Sequence, residues 1–389
     1  MSDDRKPLRI ALIRQRYRDD GGAERFVARA LDALREQGTE LTIIARKWQT
    51  RADIRAVRCN PFYLGRTWRD AGFARCVCAH LGKEHYDIVQ SHERIACCDV
   101  YRAGDGVHRE WLRQRARTLP PAARLAQALN PYHRYTLAAE RRLFEAPRLK
   151  AVICNSRMVR EEILRYFRID EKKLHVIYSG VDIDAFHPRL KQQRQAVRRQ
   201  LDIPDAAPVF LFVGSGFLRK GLAAAIAGLE HTPQNAQLVI VGQDKHADRF
   251  EGLARKRGLA ARCHFLGAQA DVKPYYGAAD VLVLPTLYDP FPNVILEAMA
   301  AGLPVITSEK CGGAEFIREG ENGYSCDALD TRRLGRHMNS IIAKADKLRA
   351  MGAAARATVE PYDLQAMSRR LLALYEGLRQ DGPTTDSES

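Results

Sequence analysis

Short, continuously apolar segments separated by helical stretches constrain the fold of this chain more than any other feature. Five such segments lie in the second half of the sequence: VFLFVG, QLVIVG, CHFLG, DVLVLP and PVITS. A strand that is apolar on both faces is buried on both faces, which is typical of a parallel sheet covered by helices on each side. The second half therefore predicts an α/β, doubly wound domain.

The first half shows the same alternation. The strand LRIALIR is followed by Gly21-Gly22, by a helix predicted between Phe26 and Gly38, and by a second strand, LTIIA. This order is a βαβ unit, and further strands are predicted at DIVQS, CDVYR and AVICN. We expect two Rossmann-like domains, at 1–185 and 186–361, that face each other across a cleft. The helix predicted at 362–380 could pack back on the first domain, and the polar tail 381–389 is expected to be disordered.

Composition is that of an ordinary folded protein, and no segment reaches the roughly 20 apolar residues that span a bilayer. The N-terminus does not resemble a signal peptide, so a cytosolic location is expected. The cysteine cluster Cys76, Cys78, Cys97 and Cys98 lacks paired CxxC motifs. We predict buried free thiols there rather than a zinc site, and no bound metal.

The net charge of +15 is concentrated in part of the first half. Between residues 109 and 150 there are ten Lys and Arg and three Glu, which favours an anionic partner: nucleic acid, a membrane surface or a phosphorylated substrate. Within this region Arg109, Arg113, Arg115 and Arg117 surround Trp111. That mixture predicts a segment lying on an anionic leaflet, with a merely solvated basic helix as the alternative. The absence of a nucleic-acid-binding motif argues against nucleic acid.

The clearest chemical signal is a pair of acids around a predicted helix start. Asp289 follows the strand DVLVLP, a helix begins near Asn293 and Val294, and Glu297 lies one turn further on. Ligands bind at the carboxyl ends of parallel strands, and the amides at a helix N-terminus bind anions. Carboxylates accept hydrogen bonds from hydroxyls, so this arrangement suits a sugar diphosphate.

Glycine-rich loops follow two other strands. In GSGFLRKG the adjacent cations Arg219 and Lys220 could neutralise a diphosphate, although the spacing is not that of a Walker loop. Gly21 and Gly22 allow a ligand to approach the backbone closely, with a plain turn as the equal alternative. The absence of GxGxxG argues against a nicotinamide or flavin enzyme.

Polar residues also follow strands of the first half. Asp105 and His108 are predicted to lie in a loop bracketed by glycines, and His92 follows another strand end. Asp105 is the stronger candidate for binding a second substrate, because a lone loop histidine more often lies on the surface than in an active site.

Together these motifs resemble the retaining glycosyltransferases of family 4, which have the GT-B fold. The resemblance covers essentially the whole chain and rests on four motifs in order: Gly21-Gly22, SGVDIDAFHP at 179–188, RKG at 219–221, and two acids separated by seven residues before AAGLPV. The first acid is Asp289, where the family usually has Glu. Asp is one methylene shorter than Glu, which changes the contact with the sugar hydroxyls and therefore leaves the identity of the hexose open. GSGFLRKG and 241–258 further resemble lipopolysaccharide core α-glucosyltransferases.

The resemblance implies a UDP-sugar donor, a lipopolysaccharide core acceptor and no cofactor or metal, because the cations replace it. We hypothesise that Arg219 and Lys220 stabilise the leaving diphosphate, Glu297 holds the ribose and Asp289 orients the hexose. A peripheral location on the inner face of the cytoplasmic membrane is expected. Transfer of N-acetylglucosamine or another hexose, an epimerase or phosphorylase on the same fold, and a non-catalytic UDP-sugar-binding protein are the alternatives.

Overall fold

The computed structural model describes residues 8–16, 39–47 and 55–380. The chain divides into two compact units, one formed by Met1–Tyr178 with Gln365–Ser389 and the other by Ser179–Leu364. The first unit therefore ends seven residues before the junction placed at 185, and it takes the C-terminal helix. Gly21, Gly22, the helix predicted after them and the tail 381–389 lie outside the described residues.

Unit 1 contains a parallel sheet of seven strands in the order β3-β2-β1-β4-β5-β6-β7. The strands are β1 (Arg9–Ile13), β2 (Glu40–Ala45), β3 (Arg55–Arg58), β4 (Ile88–Ser91), β5 (Val100–Arg102), β6 (Ala151–Cys154) and β7 (Leu174–Val176). Its described helices are α1 (Gly65–Leu81), α2 (His108–Ala116), α3 (Pro121–Leu129), α4 (Pro131–Phe144), α5 (Arg157–Tyr166) and a C-terminal helix, Leu364–Gln380.

Unit 2 contains a parallel sheet of six strands in the order β10-β9-β8-β11-β12-β13. The strands are β8 (Val209–Val213), β9 (Gln237–Val241), β10 (Cys263–Phe265), β11 (Val281–Leu284), β12 (Val305–Ser308) and β13 (Gly323–Cys326). Its helices are α6 (Arg194–Gln200), α7 (Phe217–Lys220), α8 (Leu222–Leu229), α9 (Ala247–Lys256), α10 (Lys273–Ala278), α11 (Asn293–Ala300), α12 (Thr331–Ile342) and α13 (Ala345–Val359). The C-terminal helix is α14. Short 3-10 helices lie at Glu171–Lys173, Pro188–Gln193, Ala260–Arg262, Gly312–Phe316 and Glu360–Tyr362.

The predicted α/β class is confirmed, because the apolar strands are the buried centres of both sheets. Every residue of β4, β6, β8, β11 and β12 is buried. Three strands that the sequence did not indicate lie at sheet edges: β3, which is largely exposed, and the short, partly exposed β7 and β13. An edge strand has fewer neighbours to bury its side chains, so it lacks the continuous apolar pattern.

The C-terminal helix α14 completes the core of unit 1. Met367, Leu371 and Tyr375 recur every four residues, are buried, and pack in one cluster with Ile10 and Leu12 of β1. Residues at this spacing lie on one face of a helix, so the face covers the sheet. None of the described helices is long and apolar enough to cross a membrane.

The prediction of free thiols in the cysteine cluster is wrong at three positions. Cys76 is bonded to Cys59, and Cys78 is bonded to Cys97, whereas Cys98 is a buried free cysteine. The two disulfides join α1 to the segments that follow β3 and β4. Spacing alone could not reveal these pairs, because the partners are brought together by the packing of α1 on the sheet.

In both parallel sheets the strand order reverses once: the first three strands are added toward one edge, and the fourth is added on the other side of the first. In unit 1 β1 lies between β2 and β4, and in unit 2 β8 lies between β9 and β11. The loops after such a pair of strands diverge to opposite faces and leave a crevice at their carboxyl ends. In unit 2 the candidates Arg219, Lys220 and Asp289 follow these strands. In unit 1 His92 follows β4, whereas Asp105 and His108 follow the next strand, β5.

Candidate functional site

The loop after β8 places two cations at the crevice of unit 2. Gly221 has φ +79°, and a Cβ at this position would collide with the carbonyl oxygen of Pro285 at the end of β11. A Cβ on Gly214 would lie 3.3 Å from the Lys220 side chain, which runs along this glycine. The loop is thus glycine-rich because it passes close to both the neighbouring strand and its own lysine.

Lys220 and Arg219 converge on one carboxylate. The Nζ of Lys220 donates to Oδ2 of Asp289 at 2.7 Å, and a guanidinium nitrogen of Arg219 lies 3.4 Å from the same oxygen. Lys220 and Asp289 are buried, whereas Arg219 is more exposed. Burial disfavours the ionised carboxylate, but the charges of Lys220 and Arg219 outweigh it and hold the pKa of Asp289 below its usual value.

Backbone hydrogen bonds fix the loops that carry these three residues. The carbonyl oxygen of Arg219 accepts from the Leu287 amide at 2.9 Å and from the Thr286 hydroxyl at 2.8 Å. The amide of Asp289 donates to the carbonyl oxygen of Lys310 at 3.0 Å, in the loop that follows β12. The geometry of the cluster is therefore set by three adjacent strand ends.

Asp244, in the loop after β9, holds the glycine loop from its other side. Its two carboxylate oxygens accept from the amides of Phe217 and His246, each at 2.8 Å. The Ser215 hydroxyl oxygen accepts from the Gln243 amide at 3.3 Å. These contacts join the start of α7 to the end of β9, so the position of the two cations depends on a fourth strand end.

Glu297 lies on α11, which begins at Asn293 as predicted. Oε2 of Glu297 accepts from the hydroxyl of Tyr276 at 2.8 Å, and both side chains are buried. The residue before the helix is Pro292, whose side chain cannot accept a hydrogen bond from the first amides. Asn293 and Val294 occupy this first turn and are partly exposed.

Arg94 occupies the corresponding crevice of unit 1, at the end of β4. Its Nε donates to Oε1 of the fully buried Glu140 at 2.9 Å, and Asp105 lies 3.6 Å from another guanidinium nitrogen. Oε1 of Glu140 also accepts from the amide of His108 at 2.8 Å. The predicted residue Asp105 is mostly exposed, and it is joined to the sheet edge through Arg94.

His108 and His92 have environments that favour neutral imidazoles. His108 is the first residue of α2 rather than a loop residue, and its ring lies 3.1 Å from a ring nitrogen of His133. Burial, followed by the charge of Arg94, lowers the pKa of His108 to about 3. Burial and the charges of Arg102 and Arg14 lower the pKa of His92 well below its usual value. Neither histidine is charged at neutral pH.

A polar pocket lies beside these residues, between α1, α4 and the ends of β1 and β4. Its polar lining includes Gln15, Asp70, Glu93 and Arg94. The side-chain amide of Gln15 donates to the Asp70 carboxylate at 3.0 Å, and the backbone amide of Gln15 donates to the Glu93 carboxylate at 3.0 Å. Burial raises the pKa of Glu93. Carboxylate and amide oxygens of this kind accept hydrogen bonds from hydroxyl groups.

The two units match separate family models. The model described as Glycosyltransferase Family 4 matches residues 20–185, and the model described as Glycosyl transferases group 1 matches residues 193–358. The chain belongs to the glycosyltransferases. The resemblance to family 4 that the sequence motifs indicated is confirmed, and so is the classification as an enzyme.

Similar proteins extend over nearly the full length of this glycosyltransferase. The lipopolysaccharide glucosyltransferase WaaG of Escherichia coli (strain K12) is 24% identical over 376 residues, which cover 95% of this chain and 98% of WaaG. The lipopolysaccharide core biosynthesis glycosyltransferase LpsE of Rhizobium meliloti (strain 1021) is 28% identical over 336 residues, which cover 83% of this chain and 86% of LpsE.

Solved structures show the fold. A crystal structure of WaaG, a glycosyltransferase involved in lipopolysaccharide biosynthesis, has a TM-score of 0.82 at 24% identity and covers 95% of this chain and 100% of its own. Anabaena Alr3699/HepE in complex with UDP-glucose has a TM-score of 0.72 at 19% identity, with coverage of 95% and 99%. This glycosyltransferase thus has the GT-B fold, as predicted.

The basic segment 109–117 of unit 1 forms most of helix α2. In α2 the side chain of Glu110 is fully buried and accepts from Arg113 at 3.0 Å, and Arg117 donates to Gln114 at 3.0 Å. Trp111 is only partly exposed. Several of the cations are therefore held by neighbouring side chains, and the most exposed apolar side chains of unit 1 lie outside 109–117.

Sequence reasoning did not single out Arg94, Glu140, Asp244 or Tyr276. Arg94 and Glu140 are 46 residues apart, and Tyr276 and Glu297 are 21 apart, so no local motif joins either pair. One signal was available: Arg94 and Asp244 each follow a predicted strand by a few residues. Across the described parts of the chain, no group of three His, Cys, Asp or Glu is placed to hold a metal ion.

Proposed function

We propose that this glycosyltransferase transfers a hexose, with glucose as the first candidate, from a UDP-sugar to a heptose of the lipopolysaccharide inner core. Transfer retains the anomeric configuration and takes place at the cytoplasmic face of the membrane. The observation that carries the proposal is the convergence of Lys220, Arg219 and Asp289 at the crevice of unit 2. The names of WaaG and LpsE support the acceptor, and the UDP-glucose complex of HepE supports the donor.

The cations of unit 2 act on the leaving group. During transfer the bond between the anomeric carbon and the β-phosphate oxygen breaks, and negative charge develops on the departing UDP. Lys220 and Arg219 stabilise that charge, and this type of preorganised electrostatic contact typically supplies the largest share of catalysis. Asp289 accepts a hydrogen bond from Lys220 and holds it in position, and its remaining acceptor capacity orients the hexose.

Glu297 and the start of α11 bind the rest of the donor. One oxygen of Glu297 is held by Tyr276, which leaves the carboxylate oriented to accept from the ribose hydroxyls. The first amides of α11, at Asn293 and Val294, lie at the positive end of the helix dipole and suit a phosphate.

The acceptor binds to unit 1 and supplies the attacking hydroxyl. That hydroxyl attacks from the face that the leaving phosphate occupies, and its proton passes to the phosphate oxygen. Asp105 and the carboxylates of the pocket beside Arg94 bind acceptor hydroxyls. His108 and His92 contribute as neutral hydrogen-bonding groups rather than as acids.

The reaction proceeds without a bound metal, since the two cations balance the charge that a divalent ion would otherwise neutralise. Glucosyl transfer should therefore continue in the presence of EDTA at an undiminished rate. A loss of activity that Mg²⁺ or Mn²⁺ restores would overturn this part of the proposal.

The enzyme associates peripherally with an anionic membrane, where its acceptor lies. The arginines of 109–117 contribute charge to this association, and helix α3 adds two exposed leucines, Leu125 and Leu129. Basic residues near an anionic surface each contribute about 1 kcal/mol to binding. Deletion of 109–117 would remove all of α2 except His108, so charge reversal at Arg115 and Arg117 is the gentler test of salt-sensitive vesicle binding.

The activity is tested with a panel of UDP-sugars and deacylated, truncated core oligosaccharides. We expect UDP release only in the presence of the acceptor, fastest with UDP-glucose, and an α-linked product by NMR of the anomeric proton. UDP-N-acetylglucosamine and UDP-galactose serve as the competing donors. Tight UDP binding without turnover of any donor would overturn the proposal.

A further inference from the structure

A group of large apolar side chains is exposed where unit 1 enters helix α1. Phe62 is 73% exposed and Leu64 is 68% exposed, and Tyr63 and Trp68 are also exposed. We refer to Phe62, Tyr63, Leu64 and Trp68 as the aromatic wedge. Single exposed apolar residues are ordinary, but four large ones within seven positions form a contiguous patch that marks an interaction surface.

The wedge has a defined conformation although it is exposed. The rings of Phe62 and Trp68 form an edge-to-face pair with centroids 5.7 Å apart. The guanidinium of Arg46 lies 4.1 Å from the centroid of Tyr63. Pro61, directly before the wedge, packs against Gly72 of α1. A preformed apolar projection loses little conformational entropy when it inserts into another medium.

The surroundings of the wedge are positively charged. Between residues 58 and 75 there are four arginines and one acid, a local charge of 4 − 1 = +3. Arg58, Arg66 and Arg75 are exposed, and Arg69 is paired with Asp70 at 2.7 Å. Exposed aromatic and aliphatic groups close in sequence to exposed arginines are typical of a surface that inserts into the headgroup region of an anionic bilayer.

A second exposed apolar element belongs to the same region. The guanidinium of Arg66 lies 5.9 Å from the centroid of Tyr132, at the start of α4. Helix α3, which directly precedes α4, has no buried residue and exposes Leu125 and Leu129 one turn apart. Leucine cannot stack on a sugar as an aromatic ring does, so the aliphatic members favour lipid over an oligosaccharide.

We propose that the aromatic wedge is a bilayer-inserting element that docks this enzyme on an anionic membrane and orients unit 1 toward a lipid-linked acceptor. The inference rests on the proposed function for its acceptor, but the membrane contact itself does not depend on it. The wedge lies outside 109–117 and acts together with α3.

Vesicle binding tests the wedge directly. The double variant Phe62→Ser, Leu64→Ser should bind phosphatidylcholine–phosphatidylglycerol vesicles at least roughly tenfold more weakly than the wild type, because two large apolar groups no longer leave water. Leu329→Ser, which removes an exposed leucine of unit 2, is the matched control and should bind normally. Equal binding of the wedge variant and wild type would overturn the proposal.

Tryptophan quenching distinguishes the wedge from the basic segment. In proteins that retain only Trp68 or only Trp111, with the other tryptophans replaced by Phe, brominated lipids should quench Trp68 strongly and the half-buried Trp111 weakly. Quenching of Trp111 alone would overturn the proposal for the wedge and assign insertion to 109–117.

Sedimentation at several protein concentrations tests whether the wedge binds a second copy of this chain instead of a membrane. Self-association that the wedge variant abolishes, with vesicle binding unchanged, would also overturn it.

Activity assays separate failure of the wedge from failure of the proposed function. With a deacylated, soluble core oligosaccharide the wedge variant should retain wild-type turnover. With the complete lipid-linked acceptor in vesicles its rate should fall roughly tenfold, in step with binding. Inactivity of the wild type on every acceptor would refute the proposed function and leave the vesicle result standing. If the wedge variant and the wild type have equal rates on the soluble and on the lipid-linked acceptor, the membrane role of the wedge is refuted and the proposed function is not.

Discussion

The first six strands of unit 1 have the same order as the six strands of unit 2, and each unit has a group of charged side chains at its own crevice. The balance of acids and bases within the two groups is opposite. In unit 2, Lys220 and Arg219 share the single carboxylate of Asp289, so one positive charge is left over. In unit 1, Arg94 is shared between the carboxylates of Glu140 and Asp105, so this group has more acids than bases. The first arrangement suits a diphosphate and the second suits hydroxyl groups.

The difference shows that one architecture can serve two substrates without any change in topology. The sheet fixes where ligands bind, because the crevice follows from strand order. The side chains after each strand decide what binds there, because charge selects between anionic and neutral ligands. The comparison therefore predicts catalytic effects in unit 2, and effects on stability or acceptor affinity in unit 1.

The largest expected effect is on turnover when Lys220 is removed. Lys220→Ala should lower kcat by roughly 100- to 1000-fold, because a preorganised donor to the developing phosphate charge is lost. The KM for the UDP-sugar should change far less. Steady-state kinetics measure both quantities, and Lys256→Ala, an exposed lysine at the end of α9, is the control. An unchanged kcat would remove the catalytic distinction between the units.

A stability effect is expected at Asp289. Asp289→Asn leaves Lys220 buried beside a neutral group, which should cost about 3 kcal/mol of unfolding free energy, and the double variant with Lys220→Met should recover part of it. Because the folded pKa of Asp289 is depressed, its contribution is present above the usual carboxyl pKa and is lost as pH falls through the folded value.

Urea unfolding between neutral pH and about pH 2 measures this contribution, because the loss occurs below the usual carboxyl pKa. Wild-type stability should fall more steeply at the acidic end than that of Asp289→Asn. Parallel pH profiles for the two proteins would contradict the assignment of a paired, ionised carboxylate.

In unit 1 the buried pair of Arg94 and Glu140 should matter for stability and not for donor binding. Arg94→Met leaves the fully buried Glu140 without its cation and should cost about 2–3 kcal/mol. The affinity for UDP, measured by calorimetry, should stay at the wild-type value. Arg94→Lys is the conservative control. Weaker UDP binding by folded Arg94→Met would break the division of roles between the two crevices.

The smallest expected effect concerns His108. The folded pKa of His108 is about 3, which is below its usual value of about 6.5. As pH falls below about 6.5, His108 is protonated in the unfolded chain but stays neutral in the folded protein, which favours unfolding. Stability should therefore decline from pH 7 to pH 5, by less than about 1.4 kcal/mol per pH unit because the ring is only partly buried. His108→Asn should flatten this decline. An equally steep decline in the variant would assign it to other groups.

Much of the fold and of the donor-side site could be predicted because the relevant signals are local. Each of the five apolar runs of the second half is a strand, and α11 begins at Asn293 as expected. Arg219, Lys220 and Asp289 each follow a predicted strand. The shared crevice of parallel strands brings such residues together, and in the structure they meet at one oxygen.

The rest depended on contacts between distant parts of the chain. The sequence shows Glu140 only as one of three acids in the basic stretch 109–150. In the structure it is fully buried, because α4 packs beside Arg94. His108 reads as a loop residue and is the start of α2. The sequence predicts that Trp111 faces the membrane, but its side chain is only partly exposed. Phe62 and Trp68 are more exposed, and no periodic pattern in the sequence indicated this.

The sequence by itself determined the α/β class, the two sheets, the family and the cationic and acidic pairs, because alternation of strands and helices and residues after strand ends are local properties. Only the tertiary structure decided which charges neutralise each other, which cysteines are bonded and which apolar side chains remain outside. Those outcomes depend on distances between residues far apart in the chain, and packing alone sets these distances.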